Sequence, residues 1–104
     1  MKNKGDFFNA NTIAKMDSVF YDETPAYERE ECEIRINGDE IVVSYEDEDG
    51  VVIYKGKDEG HGHFVLECPE KQGKATLHQI PKSKFLEGFW IEEGYRGFWR
   101  ITLP

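Results

Sequence analysis

Residues 32–45 read Cys-Glu-Ile-Arg-Ile-Asn-Gly-Asp-Glu-Ile-Val-Val-Ser-Tyr. Cys32, Ile34 and Ile36 alternate with Glu33 and Arg35, and a period of two marks a strand with one covered face. Asn37-Gly38 breaks the run. It is a strong hairpin signal, because both central residues of a type I′ turn need positive φ. A loop at these two residues sets Ile34 opposite Ile41, Cys32 opposite Val43 and Arg35 opposite Glu40. The apolar pairs then share one face and the ion pair takes the other, so turn and pattern agree on an antiparallel pair.

The same period extends outward. Tyr45 ends the second strand, and Asp47-Glu48-Asp49-Gly50 turns the chain into Val51 to Lys55, which can place Val52 and Tyr54 beside Val43 and Tyr45. Lys57-Asp58-Glu59-Gly60 is the next turn. A strand from about Gly62 to Glu67 is limited by Pro69, which cannot donate to a ladder, and Ala75 to Ile80 follows. No connection is long enough for a crossover helix, so sequence neighbours are expected to pair as antiparallel neighbours. Upstream, residues 1 to 10 are expected to fray. Asn11 precedes Ile13, Met16 and Phe20 at helical spacing, which predicts a short N-terminal helix, with a strand over Asp17 to Tyr21 as the competing reading.

Gly88-Phe89-Trp90 is echoed nine residues later as Gly97-Phe98-Trp99. A loop at Gly94-Tyr95 would set Trp90 against Trp99, Gly88 against Ile101 and Leu86 against Leu103, all on one face. The other face carries Phe85, Phe89, Ile91 and Phe98, which is too apolar for a surface in water. It calls for a cover, either Phe7, Phe8 and Ile13 from the N-terminus or a second copy of the chain. The resulting expectation is one mainly β domain over residues 1–104. It is an up-and-down antiparallel meander of six to eight strands, closed or nearly closed into a small barrel, because closure removes exposed edges.

Leu86-x-Gly88-x-Trp90-x-Glu92 followed by Gly97-x-Trp99-x-Ile101, closing a short meander, resembles calycin-like small barrels of the lipocalin and avidin sort. The resemblance covers about the last twenty residues and the strand order. The Gly-x-Trp that opens many lipocalins is missing, with Gly5-Asp6-Phe7-Phe8 in its place. What the resemblance implies is the binding of a small apolar or amphipathic molecule.

Composition narrows the classes further. At 104 residues the chain suits one domain, and its 13% aromatic content suits a core filled by rings. No run approaches the roughly 18 apolar residues of a membrane span. The first residues lack the apolar stretch of a secretory signal, so the expected compartment is the cytoplasm. Cys32 and Cys68 are accordingly expected as reduced core thiols. The net charge of −8 is concentrated: residues 17–49 hold thirteen acids against two arginines. A phosphate backbone would be repelled, so nucleic acid is not an expected partner.

Few residues carry chemistry. Glu92, two residues after Trp90, is expected on the tryptophan face near a rim, where it would anchor a ligand or pair with a base. Trp90, Trp99, Tyr45, Tyr54 and Phe64 would line a pocket beside it, with His78 joining if strand five faces that way. His61 and His63 fall on one side of a strand and are expected to point outward with Glu67. Two histidines fall short of the ligand count that zinc needs, so no metal is assigned. Glu46-Asp47-Glu48-Asp49-Gly50 lacks the ligand spacing of an EF-hand loop and reads as a charged turn. No phosphate loop, nucleophile elbow or CxxC pair occurs, and no cofactor is implied. Three functions follow in order of support: a ligand-binding module, an acidic protein-interaction module self-associating through Phe89, Ile91 and Phe98, and last an acid–base enzyme using Glu92 with a histidine.

Overall fold

The computed structural model describes residues 10–104. Eight strands follow one another: β1 (Ala10–Phe20), β2 (Tyr27–Asn37), β3 (Glu40–Asp47), β4 (Gly50–Asp58), β5 (His63–Cys68), β6 (Gly73–Gln79), β7 (Phe85–Glu92) and β8 (Tyr95–Thr102), with one 3-10 turn at Pro69–Lys71. Every neighbour pair is antiparallel, and β1 also pairs with β8 through Lys15↔Thr102 to Phe20↔Gly97, so the meander closes into a barrel.

The segment expected as a helix is β1. Ala14 and Met16 point inward, whereas Ile13, assigned above to the same helical face as Met16, is 53% exposed on the outer surface. Closure explains the difference. Without β1, the free edges of β2 and β8 would leave two rows of backbone groups unpaired, and that outweighs a weak local helix preference. A bulge between Met16 and Ser18 interrupts the β1–β2 register. There the amide of Arg29, held at φ 55, donates to Asp17 Oδ1 at 2.8 Å.

Both hairpins differ from the expected register by two residues, which leaves the faces unchanged. In the first, Asn37 pairs with Glu40 and the loop is Gly38-Asp39. A loop one position earlier would have set inward Ile36 against Asp39; the observed one pairs Ile36 with Ile41 and Ile34 with Val43. In the last hairpin the loop is Glu93-Gly94, both at positive φ, and Glu92 pairs with Tyr95. Each tryptophan then lies opposite a glycine, Trp90↔Gly97 and Gly88↔Trp99. A Cβ on Gly97 would stand 1.9 Å from the Val19 carbonyl oxygen and 2.7 Å from the Trp90 ring. Two indoles directly opposite could not share that space, so they sit diagonally, centroids 6.4 Å apart. On the outer face the same register pairs Glu87 with Arg100, which form an ion pair.

The inward positions form one core. Ile34, Val43, Tyr54, Leu66, Leu77, Leu86 and Ile101 are 0% exposed. Side chains fill the middle of the barrel and the end bounded by the β2–β3, β4–β5 and β6–β7 turns. The other end is different. There the last inward residues are larger and more polar, and the site lies among them.

On the outside, Phe89 pairs with Phe98 and Phe98 with Val19, a short apolar row in which Phe89 is 38% exposed. Ile13 lies six residues from Val19 along β1 and does not cover it. Phe7 and Phe8 lie outside the described residues. Among the described residues no helix is long and apolar enough to cross a membrane.

Candidate functional site

The open end of the barrel holds a cavity of about 690 Å³. Its floor is aromatic: Trp90, Trp99 and Tyr45 line it, with Phe20, Tyr27 and Tyr95 along one side. Phe20, the last inward residue of β1, meets Trp90, Tyr27 and Tyr95 edge-on at centroid distances of 5.0, 6.0 and 6.0 Å. Trp99 in turn meets Tyr54 edge-on at 5.0 Å and Tyr45 at 6.2 Å. Such perpendicular contacts suit the ring quadrupoles and fix the orientation of each ring.

Glu92 is the polar centre. The β7 alternation that turns Leu86 and Trp90 inward turns Glu92 inward as well, but at the last position, where it is half-buried at the mouth. Tyr54 donates its hydroxyl hydrogen to Glu92 Oε1 at 2.6 Å, and Tyr45 reaches the same oxygen at 3.4 Å. Gly73 makes the first bond fit. It lies opposite Glu92, and a Cβ there would stand 2.2 Å from the Tyr54 hydroxyl oxygen. Burial raises the pKa of both phenols, and the adjacent Glu92 carboxylate raises it further, so both stay protonated and remain donors.

The wall is acidic. Glu30, Glu46, Asp47, Glu48, Asp49 and Glu93 surround Glu92, and Lys71 stands among them as the one cation among the described residues that line the cavity. Lys71 Nζ lies 3.2 Å from Asp47 and 3.4 Å from Asp49. Hydrogen bonding to Asp47 raises the lysine pKa. The Asp49 amide and then Lys71 hold the Asp47 carboxyl below its usual range. Both partners therefore stay charged and bound to each other.

The sequence-derived candidates divide. Trp90, Trp99, Tyr45 and Glu92 line the mouth, and Tyr54 supports Glu92 from below. Phe64 and His78 are elsewhere: Phe64 is core near the filled end, paired with Leu77, and His78 is exposed on the outer face beside His63, ring centroids 6.1 Å apart. His78 pairs with Glu87, five residues along β7 from Glu92, or roughly 16 Å by the strand rise. His61 is not on a strand but in the β4–β5 turn at φ 57. No histidine is within reach of Glu92, so the acid–base pair considered above does not form. Among the described residues no group of three or more His, Cys, Asp or Glu is arranged to hold a metal ion. Cys32 and Cys68 are free and buried, and burial pushes the Cys32 thiol up to about 12.

Sequence reading missed Phe20, Tyr27, Tyr95 and Lys71. Once residues 10–20 are read as a strand in phase with Met16, Phe20 falls inward at the mouth, so the signal for it existed. No protein-family model, curated protein or solved structure matches the chain.

Proposed function

We propose that the protein is a small binding module that holds an apolar or amphipathic molecule in the open end of a calycin-like barrel, with Glu92 as its polar anchor. The observation that carries this reading is the cavity of about 690 Å³ over the two tryptophans. That volume lies in the range of small-molecule sites, and the aromatic floor supplies the apolar surface such sites share, under a wall more acidic than is usual for them. An eight-stranded barrel either fills its interior with side chains or holds one small ligand. This one does the first in the middle and leaves room for the second at one end.

Titrating the protein with an uncharged hydrophobic probe tests the reading through tryptophan emission, because Trp90 and Trp99 line the floor. A saturable change is expected, and native mass spectrometry of gently purified protein should retain a small molecule. Emission indifferent to every such probe, with a bare mass, removes the proposal. Self-association through Phe89, Ile91 and Phe98 is a second reading, supported by the exposed Phe89–Phe98–Val19 row. Sedimentation velocity decides it, and a strict monomer ends it.

A further inference from the structure

Resting on the binding reading above, we infer that the molecule this mouth takes is an organic cation: a protonated amine on an aromatic or apolar body. Two observations at the mouth converge on that chemistry. Among the described residues seven carboxylates line the cavity against one lysine, and that lysine is already bound to Asp47 and Asp49. The field inside is therefore negative, and low-dielectric ring walls concentrate it. An anionic amphiphile such as a fatty acid carboxylate would be repelled, whereas an ammonium would be drawn in.

The rings favour the same charge. Trp90, Trp99, Tyr45 and Phe20 present a floor to which a cation is attracted through the ring quadrupole, most strongly for tryptophan. Glu92 stands at the edge of this floor. Tyr54 donates its hydroxyl hydrogen to Oε1, which orients the carboxylate and leaves Oε2 to accept from an ammonium.

Calorimetry with three closely related probes tests this: tyramine (cation), tyrosol (neutral alcohol) and phloretate (anion). Tyramine is expected to bind at least roughly tenfold more tightly than tyrosol. Phloretate should be weakest. Raising ionic strength from about 0.02 to about 0.5 M should weaken tyramine severalfold and leave tyrosol unchanged. Glu92→Gln keeps an acceptor for Tyr54 but removes the charge, and should reduce the preference for tyramine severalfold. Glu48→Gln, on the exposed rim, should reduce it, and Glu59→Gln, at the opposite end, should not. If tyrosol or phloretate binds as tightly as tyramine, or Glu92→Gln leaves the preference undiminished, the cation inference is overturned while the binding module stands. If no probe binds, and hydrophobic probes leave the emission unchanged as well, both fall.

Discussion

Replacing Tyr54 by phenylalanine removes one oxygen and leaves the ring, so it isolates the bond donated to Glu92 at 2.6 Å. A hydrogen bond to a charged acceptor contributes about 1.5–3 kcal/mol. Glu92 is half-buried and recovers part of that from water at the mouth, so the loss should sit near the lower bound, about 1.5 kcal/mol. For 104 residues the unfolding entropy at the midpoint is roughly 0.2 kcal/mol/K, which converts that loss into a Tm drop of about 7 °C. Tyr45→Phe is the internal control. Its contact with the same oxygen is 3.4 Å, beyond the usual O–H···O range, and its removal should cost under about 0.5 kcal/mol, or about 2 °C. Thermal unfolding followed by circular dichroism at neutral pH reads both. If Tyr45→Phe costs as much as Tyr54→Phe, or neither moves the midpoint, Tyr54 is not what holds Glu92 in place.

Further outcomes follow from the same geometry. Tyr45, Tyr54 and Cys32 all have pKa values raised in the folded state, Cys32 to about 12. Their contribution to stability is fully present below their unfolded values, near pH 9 to 10. It is lost as pH rises toward the folded ones, at up to about 1.4 kcal/mol per pH unit per group. Denaturant midpoints should therefore fall steeply above about pH 10, and a flat profile to pH 12 contradicts the burial. Gly97→Ala forces a Cβ to 1.9 Å from a carbonyl oxygen and should cost about 3 kcal/mol or more. Gly94→Ala meets nothing within 4 Å and is strained only by its φ of 89°, a cost of about 1 kcal/mol. Reversing that order in urea titrations sinks the proposed packing of the two indoles. Cys32 and Cys68 should react with a thiol reagent only at the rate of global unfolding, since both are buried in the core; faster labelling of the folded protein contradicts this.

How far the sequence carried depended on which forces were local. From Cys32 to Ile101 the two-residue period decided which side chains face inward, because a shift of one residue would have put Glu33 or Arg35 in the core. The exact pairing was less legible. A loop moved by one position changes the register by two and leaves the faces alone, so period alone cannot see it. What selected the observed registers was partner size across the strands: Ile36 meeting Ile41 instead of Asp39, and each tryptophan meeting a glycine. β1 was misread because its role is defined by an edge that exists only after the other seven strands have assembled. Glu92 was legible from its place two residues after Trp90. His78 was not, because the 3-10 turn at Pro69–Lys71 concealed the phase of β6.

An inward-facing carboxylate is a poor choice for stability alone. Deeper in β7 it would be a buried charge without enough partners, and even at the mouth it occupies a position that a leucine could cover with apolar surface. Glu92→Leu by itself should destabilise, because the hydroxyl of Tyr54, whose side chain is fully buried, then loses its acceptor at a cost of about 1–3 kcal/mol. Adding Tyr54→Phe removes the orphaned donor, and replacing both partners of a buried polar pair by apolar groups is often neutral or stabilising. The double variant should thus unfold at or above the wild-type midpoint while its tyramine preference drops severalfold, which separates what the carboxylate does for binding from what it does for the fold. A double variant less stable than either single one would mean that the Tyr54–Glu92 pair is there to hold the barrel, and that its place at the mouth says nothing about a ligand.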